Sequence, residues 1–459
     1  MAPASIDHRA PARFAALTGA LAERAATLDR ALIPDDAIEV ARHCLIDWFG
    51  VTLGGCREPA PSILLEALAA GAPAVLPEGG CTIVGRELRL APLEAALLNG
   101  TASHVLDFDD VNMSFLGHAS VAVLGAALAL AEQLDADGAE LLTAFVAGYE
   151  TACRVAVAIG PEPYIRGWHF TGTVGTFGAA AACARLLGLD PERTGVALAL
   201  AASEAAGVKA NLGTMAKSLH AGRACANGLL AAQLAARGFT ASPDAIEATQ
   251  GFAALSGGTC DTEAALADPP SGWYVLDNLF KYHAACYFTH STLEGVRSLR
   301  ADGSVEAGSL EELTLHVSDL ELGACAIPAP ATGLEVKFSI AHLAAMALLD
   351  RPTTAISDAA AHDADVIAVR ERITLAHDGL AGRPTMVEAR LAGGNTVRAA
   401  VDLNTPQRDL AAQRERLAQK FAVLAEPLLG AARSAELLAA LGALDAGAPV
   451  PHALGLSRP

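Results

Sequence analysis

The stretch AIEVARHCLIDW, residues 37–48, places its apolar side chains at helical spacing. The positions i, i+3, i+4, i+7, i+8 and i+11 are Ala37, Val40, Ala41, Cys44, Leu45 and Trp48. On an α-helix these positions form one continuous apolar stripe. Similar spacing extends from about residue 12 to residue 265 and returns after Pro406. The sequence therefore predicts a mainly α protein whose large helical domain, residues 1–267 and 406–459, is built from both chain ends.

Proline near helix starts and glycine near helix ends divide these regions into separate helices. Helices are predicted over residues 93–106, 121–134, 138–157, 176–186, 192–206, 223–236, 242–249, 408–425 and 434–441.

The segment between the two helical regions has a different pattern. Residues 313–317 alternate between apolar and polar side chains, and residues 385–403 alternate on both sides of a Gly-Gly-Asn turn. Alternation predicts a strand in the first case and a β-hairpin in the second. With helical spacing at residues 338–349 and 365–372, the segment 268–405 is predicted to form a smaller α+β lobe. As an insertion in the helical domain, this lobe is expected to close over a cleft as a lid.

The composition and motif content exclude several classes of protein. Of the 459 residues 52% are hydrophobic and 18% are charged, and the 42 glycines and many alanines favour closely packed helices. The net charge of −19 argues against a nucleic-acid-binding protein, which needs basic surface to neutralise phosphates. The sequence has no dinucleotide-binding glycine motif after a strand, Walker-type loop, Gly-x-Ser-x-Gly elbow or His-Glu-x-x-His zinc helix.

The longest uncharged runs, residues 111–131 and 167–184, are interrupted by polar residues and glycines. They predict buried helices rather than membrane spans. Near the N-terminus, Asp7, His8 and Arg9 break up the apolar residues, so no signal peptide is recognisable. Nine cysteines occur singly and predict small core residues. The sequence predicts a cytoplasmic protein with no membrane partner.

The stretch HVLDFDD, residues 104–110, places Asp107, Asp109 and Asp110 within four positions, shortly before GHAS at 117–120. Such carboxylates repel one another unless they meet a cation, cap a helix end or hold a proton at a raised pKa. In the structural alternative, Asp109 and Asp110 cap helix ends. In another alternative, the cluster is similar to the magnesium-binding aspartates of helical prenyl-chain enzymes, although a second Asp-rich helix is missing.

Three further stretches combine titratable residues with glycines and helix starts: GWHFTGTVG at 167–175, GTMAKSLHAGR at 213–223 and KYHAACYFTH at 281–290. Backbone N–H groups at the start of the Ala-rich helix that follows the first stretch would suit an anion. Two cations and a histidine at 217–223 are costly between apolar helices without an anionic partner. The structural alternative places each residue in a turn or in the core. The Glu-Lys pair in EVKFS, residues 335–339, is most simply a solvated helix start.

At these stretches the sequence resembles the MmgE/PrpD family, whose members include 2-methylcitrate dehydratase, cis-aconitate decarboxylase and iminodisuccinate epimerase. The resemblance covers nearly the whole chain and rests on GTASHVLDFDD at 100–110, GH at 117–118, WHFTGT at 168–173, GTMAKSLHAG at 213–222 and EVKFS at 335–339. It implies a helical domain built from both chain ends, a smaller α+β lid, a homodimer, and no required metal or organic cofactor.

The same resemblance implies roles for individual residues. The family's active-site pattern falls on Asp107, His118, His169, Lys217 and Lys281 as catalytic residues. It implies substrate-binding or lining roles for Thr171, His220, Cys286 and His290. Ala119 and Phe170 replace prolines that commonly follow the two histidines, Cys286 replaces a histidine of the decarboxylase-type members, and Val111 lacks a hydroxyl that some of them carry. These departures weigh against cis-aconitate decarboxylase.

The leading hypothesis is a cofactor-independent lyase of the 2-methylcitrate dehydratase type acting on a small di- or tricarboxylate. Proton removal beside a carboxylate builds up negative charge, which Lys217 and Lys281 would stabilise. Asp107, His118 and His169 would share the roles of base and acid, and the sequence leaves the assignment open. Epimerisation of a dicarboxylate is the first alternative, cis-aconitate decarboxylation is less favoured, and a non-catalytic binding protein is the remote alternative.

Overall fold

The structure is a computed structural model that describes residues 16–70, 80–377 and 385–459. Up to residue 266 its helices are α1 (Ala16–Thr27), α2 (Asp35–Gly55), α3 (Pro59–Ala69), α4 (Pro92–His104), α5 (Ala119–Leu134), α6 (Gly138–Ile159), α7 (Glu162–Arg166), α8 (Phe170–Leu186), α9 (Pro191–Glu204), α10 (Ala216–Ala236), α11 (Phe252–Ser256) and α12 (Thr262–Leu266). Two short antiparallel pairs accompany them, β1 (Cys81–Thr82) with β2 (Arg89–Leu90) and β3 (Val111–Asn112) with β4 (Asn278–Leu279).

The following segment mixes helices and strands, and the chain ends in helices. The mixed segment contains α13 (His290–Ala301), β5 (Leu310–Val317), α14 (Asp319–Cys325), α15 (Gly333–Val336), α16 (Ile340–Leu348), α17 (Asp358–Ala361), α18 (Ala364–Arg370), β6 (Ile373–His377), β7 (Thr385–Leu391) and β8 (Thr396–Val401). The last helices are α19 (Leu410–Leu429), α20 (Ala431–Gly442) and α21 (Val450–Leu456). The prediction of a mainly α protein is confirmed.

Local sequence explains where most helices begin. Asp137 and Glu140 form a capping box at the start of α6, and Asp190 caps α9 ahead of Pro191. The helix predicted over 242–249 is wrong, because these residues form turns. In this segment the Ser242 hydroxyl donates to the Asp244 side chain at 2.6 Å.

Glycines allow α4 and α10 to pack closely. A Cβ atom on Gly222 would lie 2.2 Å from the backbone oxygen of Leu97, and a Cβ on Gly100 would lie 2.9 Å from the Cα of Gly222. Only glycine fits such a contact, because real Cβ atoms do not approach backbone this closely. The contact brings the end of α4, with His104, next to the start of α10, with Lys217.

The buried apolar residues form two large, separate cores. One contains residues from 17 to 280 and from 417 to 454, and the other contains residues from 285 to 389. In the second core, the sheet has the order β6-β5-β7-β8, with β5 and β6 parallel and the other pairs antiparallel. The β7–β8 pair, in the register Thr385↔Val401, confirms the predicted hairpin. The exact domain boundaries and the closing role of the lobe remain predictions.

Helix α6 is long and apolar enough to cross a membrane. However, 94% of its most apolar segment is buried inside the protein, where it packs against α8. The uncharged runs at 111–131 and 167–184 lie mainly in α5 and α8, whose residues are also largely buried. Burial of this kind is typical of core helices. The residues on which the signal-peptide reading rested lie outside the described part of the chain.

Candidate active site

A short β-ladder brings two of the chemically interesting stretches together. β3 pairs with β4 in the register Val111↔Leu279, so the loop before β3 lies beside the segment after β4. In that loop Asp107 has φ +52, a left-handed conformation that is uncommon for a residue other than glycine. Its backbone N–H donates to the carbonyl of His104 at 3.1 Å and closes the turn after α4. This strained turn therefore lies within the candidate active site, where such backbone conformations are common.

Asp107 is the centre of a buried ionic cluster. Its Oδ1 lies 2.6 Å from Nζ of Lys281 and 2.8 Å from Nζ of Lys217. Lys281 is fully buried and also donates to the Asp107 carbonyl at 2.8 Å. Burial alone would raise the pKa of Asp107, but the two ammonium groups outweigh burial and hold this pKa well below its usual range. Asp107 is therefore ionised throughout the physiological pH range.

His118 lies between this cluster and a second carboxylate. Its Nδ1 is 2.7 Å from Oδ2 of Asp109 and 2.9 Å from the carbonyl oxygen of Asp110. Both neighbours are acceptors, so we assign the proton to Nδ1. Nε2 then carries no proton and has a free lone pair. It lies 3.8 Å from Oδ1 of Asp107. Burial lowers the pKa of His118, and Lys281 and Lys217 lower it further, so the imidazole is neutral and can accept a proton.

Asp109 also binds the histidine that ends α4. Nδ1 of His104 lies 2.9 and 3.0 Å from the two carboxylate oxygens, and burial lowers the pKa of His104 to about 4. The Asp110 carboxylate instead accepts from Ser120 at 2.6 Å and from Asn278 at 3.0 Å. The capping alternative for Asp109 and Asp110 is therefore wrong. Sequence reasoning missed the positioning role of Asp109, for which the only signal was that two histidines flank it.

The two histidines of the neighbouring stretches form a pair. His169, at the start of α8, has its Nδ1 3.0 Å from Nδ1 of His220, so one of these nitrogens is the donor. His169 is buried, while His220 is half-buried. Thr171 is fully buried, and its Oγ1 accepts the backbone N–H of His118 at 3.2 Å. Thr171 thus fixes the histidine backbone, a positioning contact that the resemblance did not indicate.

A cavity of about 50 Å³ opens beside this cluster. Its polar lining residues are His118, His169, Lys217 and Cys286, and its apolar walls include Val111, Leu116, Phe288 and Phe338. Lys281 lies underneath, fully buried against Asp107. His290 lines a different cavity, of about 360 Å³, together with His283 and Glu294. The structure therefore brings the predicted catalytic set together and places His290 apart from it.

Two more lysines, neither predicted as a site residue, hold the loop that carries Asp107. Lys337 donates to the carbonyl of Leu106 at 2.6 Å, and Lys420 donates to the carbonyl of Phe108 and to Asp47, each at 2.6 Å. Burial lowers the pKa of Lys337 to about 8. The prediction of a solvated helix start at Lys337 is wrong, because only 5% of this residue is exposed. The Lys337 side chain thus reaches across the boundary between the two cores to the loop that carries Asp107.

The donor atoms of His104, Asp107, Asp109 and His118 lie within 4.8 Å of one another, a spacing that suits a metal ion. The charges around them do not suit one, because two ammonium groups already occupy Oδ1 of Asp107. A divalent cation bound there would lie next to both of them, and this repulsion is strong in a buried site. The arrangement instead fits proton transfer to and from a bound anion.

Two family models match most of the chain. Residues 19–264 match the MmgE/PrpD N-terminal domain, and residues 283–445 match the MmgE/PrpD C-terminal domain.

Curated relatives match over a smaller part of the chain. A cis-aconitate decarboxylase of Aspergillus terreus is 26% identical over 341 residues, which cover 70% of this chain and 69% of the relative. A cis-aconitate decarboxylase-like protein of Aspergillus oryzae is 30% identical over 284 residues and 58% of each chain. The human cis-aconitate decarboxylase is 32% identical over 277 residues, 58% of this chain and 56% of the relative.

Proposed function

The chain belongs to the MmgE/PrpD family, and on that basis we propose that it is a lyase that removes a proton next to a carboxylate of a small polycarboxylate. Two of the relatives named above are cis-aconitate decarboxylases, which are lyases as well. The observation that carries the proposal is the Asp107 carboxylate held by two ammonium groups beside a neutral His118. His118 can accept a proton, and the two ammonium groups can stabilise an anion.

His118 is the residue best suited to be the base. Its Nδ1 proton is held by the Asp110 carbonyl and the adjacent Asp109 carboxylate, so the Nε2 lone pair is the one that can take a proton from the substrate. Asp107 is a poor base, because its low pKa and its two ammonium partners keep it ionised and occupied. We therefore assign Asp107 to holding Lys217 and Lys281 in place, which narrows the choice that the sequence left open.

The lysines match the charge that develops during the reaction. When a proton leaves the carbon next to a carboxylate, the electron pair moves onto that carboxylate, which becomes more negative. Lys217 lines the cavity, and its ammonium group is already fixed by Asp107 before a substrate binds. Preorganised charge of this kind lowers the barrier because it needs no rearrangement during the reaction. His169, paired with the half-buried His220, also lines the cavity. Burial, and next Lys217, hold the pKa of His169 well below its usual range, so this imidazole is neutral at rest and can deliver a proton only after it has taken one up.

Two lyase reactions are candidates at this site. Dehydration of a 2-methylcitrate-type hydroxy acid is supported by the position of Val111 and Cys286, because both departures from the decarboxylase-type pattern line the cavity. Decarboxylation of cis-aconitate is supported by the named relatives. In dehydration the protein takes a proton from the carbon next to a carboxylate, and the β-hydroxyl takes up a proton and leaves as water. In decarboxylation the C–C bond to a carboxylate breaks, carbon dioxide leaves, and the electron pair left on the carbon skeleton takes a proton from the protein.

The test uses metal-free protein, dialysed against a chelator, with 2-methylcitrate and cis-aconitate offered separately. We expect one substrate to lose water or carbon dioxide, detected by mass spectrometry, and the matched Lys217→Met variant to lose most of its activity on it. Deuterium uptake from heavy water without loss of either molecule would instead indicate an epimerase. Turnover that requires magnesium and a diphosphate would overturn the proposal, as would full activity in Lys217→Met.

The family resemblance also supports a homodimer and a closing lobe. The cavity walls come from both sides of the molecule, with Leu116 and His169 on the helical side and Phe288 and Phe338 on the lobe. Closure around a substrate would exclude water and strengthen the charge interactions inside. Light scattering of the purified protein tests the dimer, and a monomer across the working concentration range would overturn that part.

A further inference from the structure

Lysine is used sparingly in this chain and almost only around the site. The sequence has five lysines and 27 arginines. Four lysines are buried, and each ammonium group binds the Asp107 side chain or a backbone carbonyl of residues 106–108: Lys217, Lys281, Lys337 and Lys420. Arginine supplies the cations elsewhere. A lysine in this chain therefore marks a position that favours a compact ammonium group over a guanidinium group.

Lys209 is the fifth lysine, and the structure gives it no carboxylate partner. It lies in a short 3-10 turn, Lys209–Asn211, and its backbone N–H donates to the carbonyl of Gly167 at 2.7 Å. The side chain is half-buried, and Nζ lies 3.9 Å from the centre of the Tyr164 ring. In the described residues no carboxylate oxygen lies within 4.0 Å of this Nζ, in contrast to Lys217 and Lys281.

This ammonium group contacts the ring of Tyr164, a residue that lines the catalytic cavity. Tyr164 and Cys286 both line the cavity. The Cys286 thiol is also close enough to influence Lys209 electrostatically. The adjacent stretch, fixed by the Gly167–Lys209 hydrogen bond and by an antiparallel bridge between Trp168 and Val208, leads directly into His169. Lys209 is thus held rigidly at the edge of the site rather than on a free loop.

The charges in the site leave room for this additional cation. Lys217, Lys281 and Lys337 bring three positive charges to the loop that carries the Asp107 and Asp109 carboxylates, so this cluster has one uncompensated positive charge. That charge can balance one carboxylate of a substrate. A second carboxylate would meet apolar walls such as Leu116 and Phe338, where an unpaired charge is costly to desolvate. A further ammonium group at the edge of the cavity removes this cost.

We propose that Lys209 binds the substrate carboxylate that lies farther from the reacting carbon. The site then selects compounds with two carboxylates separated by a short carbon chain, one on Lys217 and one on Lys209. This inference rests on the proposed function, which places the first carboxylate at Lys217. The aromatic ring of Tyr164 supports the lysine by a cation–π contact while it remains free to bind an anion.

Binding of succinate and of butanoate, measured by calorimetry, tests the proposal. The two probes have the same number of carbons and differ by one carboxylate. We expect Lys209→Gln to weaken succinate binding by roughly 10- to 100-fold and to leave butanoate binding nearly unchanged, because a charge-assisted hydrogen bond is lost. Lys209→Arg should recover part of the succinate affinity. Thermal unfolding of each variant verifies that it is folded.

Arg166→Gln is the matched control, because it removes an exposed positive charge from the same helix as Tyr164. Equal weakening of both probes, an equal effect of Arg166→Gln, or no succinate binding by the wild-type protein would overturn the inference. Turnover assays separate it from the proposed function. If the protein turns over its substrate but Lys209→Gln binds succinate normally, only the role of Lys209 is refuted. If succinate binding depends on Lys209 but the protein shows no turnover, only the lyase proposal is refuted.

Discussion

The Asp109 carboxylate lies 2.7 Å from Nδ1 of His118, and His118 but not Asp109 lines the cavity. A carboxylate in this position fixes both the orientation of the ring and the nitrogen that carries the proton. Because Asp109 also accepts from His104, it joins the end of α4 to the start of α5 through two imidazoles. Asp109 is therefore a positioning residue for the proposed base.

We expect Asp109→Asn to lower kcat by about 10²- to 10⁴-fold, the usual contribution of a general base, with little change in KM. The amide can donate its NH2 group to Nδ1 of His118, which moves the imidazole proton to Nε2 and blocks proton transfer. Steady-state kinetics on the substrate identified above measures the effect. Asp110→Asn is the control, because that carboxylate contacts Ser120 and Asn278 rather than an imidazole. Equal losses in both variants would refute the tautomer role.

Removing Lys281 should destabilise the whole protein. Lys281→Met leaves Asp107, also buried, with one ammonium partner instead of two. Breaking a buried ion pair in this way typically costs about 3–5 kcal/mol of unfolding free energy, which urea denaturation measures. The control is Arg300→Met, whose partner Asp350 has a side chain that is 69% exposed, and it should cost at most about 1 kcal/mol. A smaller loss in Lys281→Met than in the control would contradict the prediction.

Local sequence predicted the helices and strands well where the pattern was long. The 138–157 prediction matches α6, which has a capping box at its start, and the alternation at 385–403 matches the β7–β8 hairpin. The short helix predicted at 242–249 is absent, and residues 243–247 form turns instead. A long periodic segment gains enough hydrogen bonds and packing to offset the cost of helix nucleation, whereas a segment of one or two turns gains little.

The site was predicted in part, because its members come from distant parts of the chain. The resemblance indicated Asp107, Lys217 and Lys281, and the structure joins them in one ionic cluster. It did not indicate Asp109, whose neighbours in sequence permitted capping just as well. Lys420 was also missed, because its contact with Phe108 joins residues at opposite ends of the chain. No local pattern encodes a contact of that kind.

The pH dependence of kcat/KM should report His118 in the free enzyme. The base must be neutral, so activity rises with pH through the pKa of this imidazole. Burial, Lys281 and Lys217 lower that pKa, so the acid limb should have its midpoint below about 6.5, the usual value for histidine. In Lys217→Met the residual activity should have its midpoint at higher pH, because one positive neighbour is gone. A wild-type midpoint above the usual value would contradict His118 as the base.

Asp110 should make the protein less stable as pH rises. Burial, and next the Asp47 carboxylate, raise the pKa of Asp110 to about 7, whereas an unfolded aspartate has a pKa of about 3.9. Between these values the folded protein holds a proton that the unfolded chain has released. Its contribution to the unfolding free energy is therefore complete below about pH 4 and is lost as the pH rises through about 7.

Urea unfolding of the wild-type protein and of Asp110→Asn at about pH 5 and about pH 8 measures this contribution. We expect the variant to lose less stability than the wild type between the two pH values, because its amide does not titrate. Ser120→Ala should have the opposite effect. The Ser120 hydroxyl donates to the Asp110 carboxylate and lowers its pKa, so its removal raises the pKa further and increases the loss at high pH. Identical pH dependence in all three proteins would show that Asp110 is ionised in the folded state.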